Sequence, residues 1–128
     1  MTREQPTPFP RLWLRLDLAP GVSLGPGKAQ LLRGIAETGS ISAAGRRVGM
    51  SYKRAWQLVD ALNRHFESPL VSASRGGAHG GGATLTPLGS SVLHTYQSLH
   101  DLAASTTAAD LGRLVSQLRE RPGEDAAG

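Results

Sequence analysis

The chain of 128 residues contains no cysteine. That removes disulfide frameworks, thiolate zinc sites and cysteine nucleophiles, and it suits a cytoplasmic protein. No apolar run approaches the ~20 residues a helix needs to cross a bilayer, so no membrane segment is expected. The opening "MTREQPTPFP" lacks the apolar stretch of a secretory signal and reads as a disordered arm over residues 1–10. Paired metal ligands are missing too. His65, His79, His94 and His100 are scattered, and His94 and His100 are six apart rather than at the i, i+4 spacing of a helical zinc site.

One segment invites a catalytic reading. In "RGGAHGGGATLTPLG", five of the eight residues 75–82 are glycine. A phosphate loop, however, runs from a strand straight into a helix N-terminus, where backbone amides and the helix dipole converge. This stretch leads into a second strand, and no Lys-Ser or Lys-Thr follows it. With no acid–base, nucleophile or metal constellation elsewhere, the chain is read as non-enzymatic, with no catalytic residue, metal or cofactor of its own.

What the sequence does have is an uneven charge. Residues 1–82 hold eleven Lys and Arg against five Asp and Glu, whereas residues 83–128 hold three against five. A basic front and a mildly acidic end point to one surface that faces a polyanion.

The element pattern gives that surface a shape. "RLWLRLDL" alternates Leu12, Leu14, Leu16 and Leu18 with Trp13, Arg15 and Asp17, the period of a half-buried strand over residues 11–18. "APGVSLGPGK" turns the chain, and Pro26 suits the first position of a helix whose apolar face is Leu31, Leu32, Ile35 and Ala36, ended by Gly39. Ser40 or Ser42 can cap a short helix over residues 41–48; Ser51 can cap the next, which runs to about His65 and turns Ala55, Leu58, Val59, Leu62 and Phe66 inward. Residues 70–74 and 83–85 then read as strands of a hairpin around the glycines. "TPLG" opens a long helix, with Thr86 as cap and Pro87 at its first position. Its apolar stripe is Leu88, Val92, Tyr96, Leu99 and Ala103, and a last amphipathic segment holds Leu111, Leu114, Val115 and Leu118. The fold class is mainly α with a small β-hairpin wing: a winged helix-turn-helix with a long C-terminal dimerisation helix. Its expected extent is residues 11–104, followed by a helical or disordered tail over 105–128.

An α-helix fits the major groove of DNA, and the N-terminal part of a recognition helix reaches the base edges. "SYKRAWQ" suits that task. Ser51 can cap and still offer its hydroxyl to a phosphate, Lys53 and Arg54 bring charge, and Gln57 can read an adenine edge. Tyr52 and Trp56, four apart, can pack on sugars or thymine methyls; for Trp56 a half-buried core role is an equal reading. Arg64 is read as a solvated face, and Arg46 and Arg47 either as a solvated pair or as backbone contacts. Arg75, at the base of the glycine loop, suits a phosphate or a narrow minor groove. The DNA-facing set is therefore Ser51, Tyr52, Lys53, Arg54, Trp56, Gln57 and Arg75.

"GSISAAGRRVGMSYKRAWQLVDALN", the glycine loop and the following "VLHTY" resemble the N-terminal domain of the ModE-type molybdate-responsive transcription regulators, within the broader LysR-type winged-helix class. The resemblance covers roughly residues 11–104. It implies that residues 41–48 and 51–65 are the helix-turn-helix pair, that residues 75–82 are the wing, and that Tyr52, Lys53 and Gln57 face the groove. It also implies that the helix from Pro87 dimerises. Leu88, Val92, Tyr96 and Leu99 are accordingly expected at a homodimer interface, the alternative being that this stripe covers the domain's own core. Full members of the family carry C-terminal β-barrel modules that bind molybdate. Residues 105–128 are expected to form no such module, so molybdate comes in only by family association: through a separate effector-binding protein, through a site these residues do not reveal, or not at all. Double-stranded DNA is the expected partner. The alternative is a winged module without a molybdate response that binds DNA independently of an effector, or binds a protein.

Overall fold

A computed structural model describes residues 9–75 and 81–119, with Arg75 represented by its backbone alone. Most of the expected N-terminal arm, the tip of the glycine loop (residues 76–80) and the end of the expected tail (120–128) lie outside the described residues. The elements run β1 (Leu16–Ala19), β2 (Val22–Leu24), α1 (Pro26–Thr38), α2 (Ile41–Arg47), α3 (Tyr52–His65), β3 (Val71–Arg75), β4 (Gly81–Leu85) and α4 (Pro87–Ser116). Trp13–Ser98 forms one compact unit, which holds the core; residues up to Leu12 and from Leu99 onward belong to a second.

The first strand departs from expectation. The alternating leucines predict a strand over residues 11–18, but ladder pairing begins only at Leu16. The partner is β2, three residues long, inside the stretch read as a turn. So short a partner cannot pair residues 11–15. Those residues still alternate between exposed and half-buried, and Leu14 and Leu16 pack on the core. Leu18 breaks the alternation and is 52% exposed. The cause is a shift of register between Asp17 and Ala19, an irregularity that re-aims the side chain beside it.

The three central helices follow their signals closely. Pro26 occupies the first turn of α1, and Gly39, at φ 73°, closes it with its amide on the Ile35 carbonyl. Ser40, not Ser42, caps α2, its side chain accepting from the Ala43 amide; Ser51 caps α3 by accepting from Arg54. Leu31, Leu32, Ile35, Ala44, Ala55 and Leu62 are essentially inaccessible to solvent, and they join the three helices in one core with Leu70, Val71 and Ala83 of the hairpin.

The hairpin is antiparallel and in register from Val71 opposite Leu85 to Arg75 opposite Gly81. Two contacts fix it to the helices. The Ala83 amide donates to the Gly39 carbonyl at 2.9 Å, and Asn63 of α3 clamps the other strand. Its Oδ1 accepts from the Leu70 and Val71 amides while its Nδ2 donates to the Val71 carbonyl. α4 then leaves the hairpin through Thr86, whose hydroxyl accepts from the Gly89 amide and donates to the Pro69 carbonyl. Gly89 allows this crossing to be tight: a Cβ there would lie 2.1 Å from the Leu70 oxygen.

α4 is a single helix of 30 residues, so the expected final amphipathic segment is its continuation rather than a separate element. Leu88 and Val92 pack against the core, and Tyr96 is buried at 4% exposure with its hydroxyl donating to the Leu14 carbonyl at 2.6 Å. Burial holds the Tyr96 hydroxyl above the ordinary tyrosine pKa. Of the four residues expected at an interface, Tyr96 is therefore buried in its own chain, Leu88 and Val92 are half-buried against the core, and Leu99 is exposed. Among the described residues no helix is long and apolar enough to cross a membrane.

Candidate nucleic-acid interface

α2 and α3 are joined by four residues, Val48 to Ser51. Gly49 adopts φ 78°, a left-handed conformation that suits glycine, and reverses the chain. The Met50 amide returns to the Gly45 carbonyl at 2.8 Å and locks the turn. Gly45 also lets the two helices touch: a Cβ there would meet the Ala55 methyl at 2.9 Å. The "AAGRRVGM" segment therefore sets the angle at which α3 leaves the body.

That angle leaves one side of α3 bare. Ala55, Leu58, Val59 and Leu62 are buried, whereas Ser51, Tyr52, Lys53, Arg54, Trp56 and Gln57 are exposed. The structure brings these six expected residues together over the first turn and a half of the helix. Tyr52 and Trp56 stand edge to face, with ring centroids 6.3 Å apart and planes at 69°. Trp56 keeps 39% of its surface in solvent and Tyr52 62%. This partial cover of Trp56 fits both readings of it, a half-buried residue that steadies the helix and a ring offered to a partner. Together with Lys53, Gln57 and Asp60, the two aromatics line a shallow, open depression.

The polar ends of this face are unengaged. Lys53, Arg54 and Gln57 make no side-chain hydrogen bond or ion pair among the described residues. Other cations do have partners: Arg47 pairs with Glu37 at 2.6 Å, Arg113 with Asp110 at 2.6 Å, and Arg64 with Asp60 at 3.7 Å. Arg46 donates to Ser42, and Arg33 to Gln97. Arg64 and Arg47 thus have local structural partners. The Ser51 hydroxyl oxygen accepts from the Arg54 amide at 3.0 Å, which leaves its proton free to donate outward.

Arg75 ends β3 opposite Gly81, at the base of the wing, as expected from its place in the sequence. Its side chain lies outside the described part of the structure. Asn63, which holds the start of β3 to α3, was not singled out from the sequence. An asparagine on the polar shoulder of an amphipathic helix gives no local sign that it caps a distant strand.

A nucleic-acid duplex suits the chemistry of this face. The face offers a helix edge with two cations, a bidentate amide and two planar apolar groups around an open depression. Among the described residues no group of three or more His, Asp or Glu could hold a metal ion.

Comparison with known proteins agrees with this geometry. Residues 28–90 match the bacterial regulatory helix-turn-helix proteins of the lysR family. The chain is 47% identical over 79 residues to the molybdenum-pterin-binding protein MopB of Rhodobacter capsulatus, covering 62% of this chain and 29% of that protein. It is 38% identical over 112 residues to the DNA-binding transcriptional dual regulator ModE of Escherichia coli K12, covering 82% of this chain and 43% of ModE. The chain thus spans less than half the length of either relative. Its fold is similar to that of the CbnR DNA-binding domain in a crystal structure with DNA, at a TM-score of 0.52 and 22% identity, covering 71% of this chain and 97% of that one.

Proposed function

We propose that the chain is a DNA-binding transcription regulator, since its residues 28–90 match the helix-turn-helix proteins of the lysR family and it is similar to the DNA-binding transcriptional dual regulator ModE. The observation that carries this reading is the exposed face of α3. Tyr52, Lys53, Arg54, Trp56 and Gln57 are held outward by a buried opposite face; the two rings meet each other, and the Lys53, Arg54 and Gln57 side chains have no hydrogen-bond or ion-pair partner among the described residues. In this reading the first turns of α3 enter a major groove, Gln57 and Lys53 meet base edges, and Ser51 and Arg54 hold phosphates. Arg75 carries the wing base toward the neighbouring backbone.

The active form is proposed to be a homodimer on a palindromic site, with two recognition helices about 34 Å apart. Because Tyr96 is buried and Leu88 and Val92 pack against the core, the proposed interface moves along α4 to Leu99, Leu102 and Leu114, with Leu118 just past its end, all exposed and apolar. A response to molybdate is proposed only through a separate effector-binding partner.

The reading is tested by titrating the protein with random duplex DNA at low and high salt, followed by site selection with and without molybdate. Tight low-salt binding that weakens steeply with salt is expected. A winged module that binds only proteins would show little affinity at either salt. For the dimer, Leu102→Glu with Leu114→Glu should give monomers in sedimentation; a dimer that survives both changes moves the interface elsewhere.

A further inference from the structure

Lys28 lies in the first turn of α1, half-buried, and its Nζ donates to the Ser23 carbonyl at 2.8 Å. The residues around it come from three elements. At Gly25, which caps α1, a Cβ would lie 3.7 Å from both the Cβ and the Cγ of Arg15, so the stem of Arg15 runs along the start of the helix. At Gly27 a Cβ would lie 4.0 Å from the Met50 methyl. The start of α1 therefore abuts the residues that lead into α3, whose first turn carries Arg54. Burial first, and then the positive charges of Arg54 and Arg15, hold the Lys28 ammonium below the ordinary lysine pKa.

These charges are only partly compensated. Among the described residues no carboxylate pairs with Lys28 or Arg54, and the first turns of α1 and α3 contain no acidic residue. Arg15 has only an exposed pairing with Asp17, which water and salt weaken. Three cations gathered at the positive ends of two helices repel one another and cost the free protein stability. A polyanion removes that cost. The cluster is continuous with the bare face of α3 through Arg54.

We infer that Arg15, Lys28 and Arg54 form a phosphate-binding patch that grips a DNA backbone beside the groove occupied by α3. The inference rests on the DNA-binding reading above and adds to it an anchor built from β1's approach and the start of α1. Such a patch fixes the register of the recognition helix without reading sequence, as backbone contacts do.

The test is anisotropy of the full chain on a short random-sequence duplex over a range of salt, for wild type, K28Q, R15Q and K28R. K28Q and R15Q should each bind several-fold more weakly at moderate salt, and each should lower the slope of log affinity against log salt by about 0.9, the loss of one phosphate contact. K28R should keep the wild-type slope. Since K28Q also relieves repulsion, it should melt no lower than wild type. A steep wild-type slope that K28Q leaves unchanged overturns the patch while sparing the DNA-binding reading. Wild type with no duplex affinity at low salt overturns both. Should K28Q melt lower, its bond to Ser23 is structural and R15Q decides: an unchanged slope in R15Q overturns the patch.

Discussion

On the inner side of α3, Ala55, Leu58, Val59 and Leu62 are buried against α1, α2 and the hairpin; a step round the helix, Tyr52, Lys53, Trp56 and Gln57 stay in solvent. The inner side is closed in every respect, with tight contacts and no unsatisfied buried side-chain polar atom among the described residues. The outer side is open: two partly exposed aromatic rings, and the Lys53, Arg54 and Gln57 side chains with no hydrogen-bond or ion-pair partner among the described residues. A helix that only had to stabilise its own fold would gain little from exposed tryptophan and tyrosine side by side. The contrast separates what the helix does for the fold from what it does for a partner, and each face can be changed without the other.

The inner face should give the largest effects. Leu62 is 1% exposed, and Leu62→Ala should cost about 2–5 kcal/mol, the lost transfer energy plus the cavity left behind. Urea unfolding should show it as a lower midpoint at an unchanged slope. At low temperature the remaining folded protein should still bind DNA as wild type does; lost affinity there would mean that the two faces are not separable. Next comes Gly45→Val. The added carbons meet the Ala55 methyl, already 2.9 Å from where a Cβ would sit, and should cost about 1–3 kcal/mol by forcing α2 and α3 apart. This change should also disturb binding, because it tilts the recognition helix.

The outer face should reverse the pattern. Lys53 has no partner to lose among the described residues, so Lys53→Ala should leave the melting temperature where it was. Affinity for a selected operator should fall roughly tenfold, about 1.4 kcal/mol, measured by anisotropy at fixed salt. Unchanged affinity would remove α3 from the groove.

The inner face was almost fully legible in the sequence, because a 3.6-residue period, serine caps and glycine stops are local signals that the fold obeyed. The helix-turn-helix pair and the hairpin followed from them to within a residue or two at most boundaries. What escaped reading was non-local. The strand over residues 11–18 contracted to Leu16–Ala19 because its partner is three residues long, and a partner's length is not written in the strand itself. The stripe on α4 was read correctly as apolar, but periodicity shows which side of a helix avoids water, not whose surface covers it. Tyr96 is covered by its own chain and finds a hydrogen bond at Leu14, 82 positions away, while Leu88 and Val92 are only partly covered. Lys28 and Arg15 gave no sign in the sequence for the same reason, since only folding brings Arg15 and the start of α1 together near the turn that leads into α3. On the candidate site, the six expected residues from Ser51 to Gln57 do share one exposed face, because a helix fixes their neighbours within a turn.

The finest test of the two faces is at Ser51, which belongs to both. Its oxygen caps α3 through the Arg54 amide, and its proton is free for a phosphate. Ser51→Ala removes both roles and should cost about 1 kcal/mol of stability, with a small loss of affinity. Ser51→Asp separates them. The carboxylate is as good a cap and favours the positive end of the helix, so thermal stability should return to the wild-type level. The same negative charge would sit where a DNA phosphate is proposed, beside Lys53 and Arg54. Affinity should therefore fall below that of Ser51→Ala even as stability recovers. If the aspartate variant instead binds as well as wild type, no phosphate approaches this end of α3, and the groove-facing part of the helix must begin further along, at Trp56 and Gln57.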